Sequence, residues 1–82
     1  MKFYSTKSIN DRMRAEKSFS DFVSDSIRRF LSGDFGNISE ADKQLNLSDP
    51  DYQKGVYIYC EIIKIWIKKD MDFVTVLFPN ED

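Results

Sequence analysis

The sequence predicts a small α+β domain, with two or three N-terminal helices packed on a three-stranded antiparallel sheet. Three observations predict it. Residues 55–79, GVYIYCEIIKIWIKKDMDFVTVLFP, form the only long run dense in β-branched and aromatic side chains, the types that suit a pleated, half-buried surface. Phe19, Phe22, Val23, Ile27, Phe30 and Leu31 recur with helical spacing, which marks a stripe facing a core. The chain has 82 residues, 41% of them apolar and 15% aromatic; that is one domain's length with enough bulk for a thin core, and not the composition of a disordered chain.

Taken in order, Lys2–Ser5 reads as an edge strand or an extended lead-in. Ser8 is an N-cap residue with Asp11 in the capping-box place, which starts a short helix through about Arg14 or Ala15. It would bury Ile9 and Met13, an i, i+4 pair. Ser18, followed by Asp21, repeats this grammar and opens the main helix. Gly33 follows the last periodic residue and ends it. Asp34–Asn37 is a turn. Ser39 caps a third helix from Glu40 to about Asn46, with Leu45 as its one apolar anchor. Pro50, within Ser48–Asp51, breaks it.

The strands are Val56–Tyr59, about Ile63–Lys68, and Val74–Phe78. Lys69–Asp72 joins the last two as a hairpin turn. Cys60-Glu61-Ile62 between the first two holds no Gly, Asn or Pro. It is either a tight turn or a bulge in one long bent strand. Ile63, Ile65 and Ile67 alternate with Lys64, Trp66 and Lys68, so the isoleucines face the helices and Trp66 faces away.

The charge of −2 gives no general attraction to phosphates or anionic membranes. It is unevenly spread, however. Seven basic and four acidic residues give +3 over residues 1–33. Five acids against Lys43 give −4 over Asp34–Asp51, and four basic against five acidic residues give −1 beyond. One cysteine excludes an internal disulfide and suits a reducing cytoplasm. The N-terminal residues lack the apolar run of a signal peptide, and no segment is long and apolar enough to span a membrane.

Catalytic motifs are missing from the sequence. It has no histidine, so Cys60 has no Cys–His couple. Asp70 and Asp72 are a close carboxylate pair best read as a solvated hairpin turn. No cofactor is expected; zinc could be held only through Cys60 with carboxylates such as Glu61 or Asp72, short of the usual ligand set. Arg28, Arg29, Lys64, Lys68 and Lys69 with Trp66 could make a basic, aromatic patch for nucleic acid. Trp66, with Tyr57 and Tyr59 nearby, suits either a protein-binding face or a minor second core.

Several pieces of the chain carry a resemblance. These are MKFYSTKSIN, the FxxFVxxSI of the main helix, GDFGNISEADKQLN, and KIWI followed after a short turn by TVLFPNED. In this order they resemble a family of small uncharacterised proteins carried by plasmids, phages and integrative elements of Gram-positive bacteria. The chain departs from that family in having only Cys60-Glu61-Ile62 between the first two strands, and Lys68–Asp72 where members usually carry Thr-Glu followed by a turn with Asp and Arg. The resemblance implies a mobile-element origin and supplies no catalytic residues. By analogy of lifestyle and size it implies a non-catalytic protein that binds and inhibits a host defence protein, with an anti-CRISPR inhibitor of Cas9 as the sharpest instance. The expected partner-binding residues are Asp34, Glu40, Asp42, Asp49 and Asp51 for charge, and Trp66 as an anchor. The alternative is a small regulatory nucleic-acid-binding protein of the element, using the basic residues.

Overall fold

A computed structural model describes all 82 residues. The elements run β1 (Lys2–Ser5), α1 (Lys7–Ala15), α2 (Lys17–Leu31), α3 (Glu40–Ser48), β2 (Tyr52–Tyr59), β3 (Ile63–Asp70), β4 (Phe73–Leu77) and a 3-10 turn, Pro79–Glu81. The α+β class is as the sequence predicts, but the sheet has four strands and is mixed. Its order is β1-β4-β3-β2, with β1 parallel to β4 and the other pairs antiparallel.

Lys2–Ser5 is an edge strand, the first of its two sequence readings, and it resets the first helix. Thr6 leaves β1 by donating its N–H to the Val76 carbonyl at 3.1 Å. Its hydroxyl then accepts from the Ile9 N–H at 3.3 Å. Thr6, and not Ser8, is therefore the N-cap. The helices α1 and α2 are separate, broken at Glu16, which is extended at φ −143° and ends one helix while starting the next. Ser18 thus lies inside α2 and caps nothing; its hydroxyl donates to Glu16. Gly33, at φ +90°, follows the helix as expected.

Ile9 of α1 and Phe19, Val23 and Phe30 of α2 pack with Phe35 on one sheet face, against Tyr57, Ile65, Ile67, Val74 and Val76. The isoleucines of β3 face the helices as their alternation predicts. Leu31, at the end of the predicted stripe, is half exposed.

The β2–β3 connection is a tight turn. Cys60 and Glu61 both have positive φ, 51° and 64°, and the Ile62 N–H donates to the Tyr59 carbonyl at 3.2 Å. Between β3 and β4 only Met71 and Asp72 lie outside the strands, with Met71 at φ 56°.

Ser39 caps α3 as expected, accepting from the Asp42 N–H at 3.1 Å. The anchor differs. Leu45 is exposed and Asn46 is buried. The Asn46 amide donates to the Lys54 carbonyl at 2.8 Å and accepts from the Lys54 N–H at 3.1 Å. It stands where a fifth strand would pair, and the Gln53 side chain donates to the Asn46 carbonyl at 3.0 Å. Beside it the Val56 N–H donates to Phe35, and the Asn37 N–H donates to Val56. The β2 edge is thereby blocked to further strand pairing at Lys54 and Val56.

Candidate functional site

Two surfaces carry the residues with chemistry, and they are built differently. The first is the ridge of α3. A nine-residue helix on a small domain normally buries its apolar side chains. Here Leu45 and Leu47 are 65% and 59% exposed, while the inward residue is Asn46. Glu40 and Asp42 lie in the first turn and Asp49 is the C-cap. Asp51 follows in the loop, where its carbonyl accepts from the Met71 N–H at 2.7 Å and fixes that loop to the β3–β4 turn. Glu40, Asp42, Asp49 and Asp51 are all exposed, and none of the four forms an ion pair.

Asp34 belongs elsewhere. Its carboxylate accepts from the Arg29 guanidinium at 2.7 Å and from the Gly36 N–H at 3.0 Å. Those partners, Arg29 first, hold it below the usual carboxylate range. Its carbonyl accepts the Tyr57 hydroxyl at 2.7 Å. Asp34 is a brace for the loop after α2. Gly36 serves the same brace: at φ +73°, a Cβ there would lie 2.1 Å from the Val56 carbonyl oxygen.

The second surface is the face of the sheet that no helix covers. Residues paired across a sheet share a face. Trp66 pairs with Val56 and Leu77, Lys68 with Lys54 and Thr75, Tyr4 with Thr75, and Lys2 with Phe73. Trp66 is half-buried there, with the Lys54 ammonium 3.5 Å from its ring centroid. Tyr4 and Phe73 are 52% and 43% exposed, with ring centroids 5.7 Å apart. An open groove of about 410 Å³ separates the two surfaces, lined by Asp42 and Leu45 on one side and by Tyr52, Lys54 and Lys68 on the other.

Tyr57 and Tyr59 are not on the Trp66 face. Tyr57 pairs with Ile65 and is 1% exposed. Its side chain lies over Gly55, where a Cβ would meet the hydroxyl oxygen at 2.6 Å and the ring at 2.7 Å. Tyr59 packs edge-on to Phe19, and its hydroxyl donates to Glu16, which raises the phenol's pKa and lowers the carboxylate's.

The basic residues do not form one patch either. Arg28 pairs with Asp25 and Arg29 with Asp34, both on the helical layer. Lys64 and Lys68 are on the open sheet face, where Lys68 pairs with Asp82 at 2.7 Å. Lys69 alternates to the other side, and its ammonium donates to the Pro50 carbonyl.

No family model, characterised protein or solved structure matches the chain.

The remaining chemistry is sparse. Asp72 faces the Met1 amino group at 3.2 Å, while Asp70 lies on the open sheet face. Cys60 is exposed on its turn. No three Cys, Asp or Glu side chains come close enough to hold a metal ion. No helix is long and apolar enough to cross a membrane.

The residues missed by sequence reasoning are Leu45 and Leu47 as outward side chains, and Lys2, Tyr4, Lys54 and Phe73 on the open face. A signal for the second group existed. Lys2/Tyr4, Lys54/Val56/Ile58 and Phe73/Thr75/Leu77 each alternate with the pleat, but only a known register aligns them with Trp66.

Proposed function

We propose that this is a non-catalytic binding protein whose α3 ridge docks on a basic surface of a protein partner. The observation that carries it is the inversion of α3. A helix that buries an asparagine and turns two leucines outward breaks the local rule its sequence should follow, and such breaks concentrate at working surfaces. The clamp on Lys54 holds the ridge in place, so little conformational freedom is lost on binding. The leucines supply apolar contact. Glu40, Asp42, Asp49 and Asp51 supply charge complementarity, which steers encounter and fixes register.

The resemblance to mobile-element proteins directs the choice of partner toward host defence. Cas9 presents a strongly basic channel for its guide–target heteroduplex, and an acidic ridge is the complement of such a channel. The reading is therefore an anti-CRISPR inhibitor that blocks nucleic-acid loading or activation of Cas9. Asp34 is assigned to the brace, and Trp66 to the open sheet face beyond the groove.

The test is DNA cleavage by guide-loaded Cas9 titrated with this protein, beside direct binding. Inhibition near one-to-one stoichiometry is expected. Asp42→Lys, Asp49→Lys and Asp51→Lys together should weaken it by at least about tenfold, with circular dichroism unchanged. Full cleavage at excess protein would retire Cas9 as the target. Inhibition that the triple variant retains in full would retire the ridge.

A further inference from the structure

We propose that the open face of the sheet is a platform for single-stranded nucleic acid. The proposal does not depend on the α3 ridge, and uses none of its acids.

The α-helices cover one face of the sheet only; on the other, Leu77 is buried beside Trp66 and the remaining side chains are half-buried or exposed. The uncovered face gathers Lys2, Lys54, Lys64 and Lys68 in a chain whose net charge is −2. Its carboxylates are Asp70, from β3, and Asp82, which already holds Lys68. Lys2, Lys54 and Lys64 form no ion pair. Two of them lie against rings: Lys54 at 3.5 Å from the Trp66 centroid and Lys2 at 5.6 Å from that of Phe73.

The rings form two stations. Tyr4 and Phe73 pair at one end, and Trp66 lies one strand over. Trp66 is opposite Leu77, four residues along β4 from Phe73. At the rise and spacing of a sheet, the stations are about 14 Å apart. A ligand that alternates anionic groups with flat π-faces over that span is a nucleic-acid strand. An acidic peptide offers the charge and nothing flat to stack. Unpaired bases are required, because duplex bases stack on one another and this face has no protruding element to enter a groove. On binding, a base takes the ammonium's place on Trp66, and Lys54 swings to a flanking phosphate.

Trp66 is the chain's one tryptophan, so its fluorescence reports the event directly. The experiment titrates the full chain with unlabelled oligothymidylate and oligouridylate, with a duplex of equal length as control. The expected result is quenching with a dissociation constant below about 100 µM at about 50 mM salt, and a log–log salt slope of about −2, set by three lysines. Duplex should bind at least about tenfold more weakly. Lys54→Ala with Lys64→Ala should flatten the slope, and Tyr4→Ala should weaken binding about tenfold. Tyr4 is half exposed, so its removal spares the core. Absence of quenching, equal affinity for duplex, or displacement by polyglutamate as efficient as by oligonucleotide would each overturn the proposal. The α3 charge-reversal variant should still quench, which separates failure of this platform from failure of the ridge.

Discussion

Tyr57 joins β2 to the end of α2 and to the loop that follows it. Its side chain fills the space over Gly55, the Arg29 guanidinium lies 5.1 Å from its ring centroid, and its hydroxyl donates to the Asp34 carbonyl. Burial raises the pKa of this phenol well above its usual value of 10.0, with the Asp34 carboxylate adding to the shift. The folded state therefore holds the neutral form, and the sign follows. A raised pKa contributes stability that is complete below the unfolded value and declines as pH rises beyond it. Above about pH 10 the unfolded chain releases this proton and the folded chain does not, a loss of about 1.4 kcal/mol per pH unit. Tyr57→Phe removes that dependence but leaves the Asp34 carbonyl without its donor, at about 1–3 kcal/mol. The variant should be less stable at pH 8, and its deficit should shrink toward pH 11. Urea midpoints across that range check it; a deficit that stays constant would show that Tyr57 ionises freely in the fold. Tyr59 is present in both proteins and cancels from the comparison.

At the scale of elements, the β2–β3 turn holds the clearest strain. Cys60 and Glu61 both adopt positive φ, a pairing that Asn-Gly accepts readily and other residues accept at about 1 kcal/mol or more each. Cys60→Asn with Glu61→Gly should therefore raise stability by about 1–2 kcal/mol in urea denaturation, without altering the fold. An unchanged midpoint would mean that the turn is not held in this conformation. The same turn shows what the sequence could convey. The main helix and the three antiparallel strands were legible because each repeats its period several times. The turn was not, because it lacks the residues that announce positive φ. Without its length the register of β2 was open, and Tyr57 and Tyr59 could not be separated from Trp66. The strand β1 was legible as an edge strand or an extended lead-in, but it is four residues long and pairs with a strand far along the chain, so neither periodicity nor proximity decided between the two. The helix α3 was legible at its Ser39 cap and illegible in its orientation, since Asn46 anchors it through amide hydrogen bonds that leave no trace in hydropathy. The acidic block was legible as charge alone; the brace that removes Asp34 from it exists only in three dimensions.

For the whole molecule the consequence is a separation of charge. The acids of Glu40–Asp51 stand off the β2 edge, the unpaired lysines stand on the open sheet face, and the groove between them is lined by both signs, Asp42 against Lys54 and Lys68. One perturbation can therefore be read on two ligands. Reversing Asp42, Asp49 and Asp51 to lysine adds six charges and takes the net from −2 to +4. Docking on a basic protein surface should fail, because attraction becomes repulsion at the contact. Binding of a single-stranded oligonucleotide should tighten several-fold at low salt, because the added field reaches the sheet face within about a Debye length. That gain should disappear by about 0.5 M salt, where the screening length falls to roughly 4 Å. Paired titrations of the wild type and the triple variant, with a basic partner and with oligothymidylate, measure both effects. General unfolding would lower both affinities together. Opposite shifts follow from the opposite charges of the two ligands, and salt should erase the gain for the oligonucleotide while the leucine contacts of the ridge remain to hold the wild type to its partner.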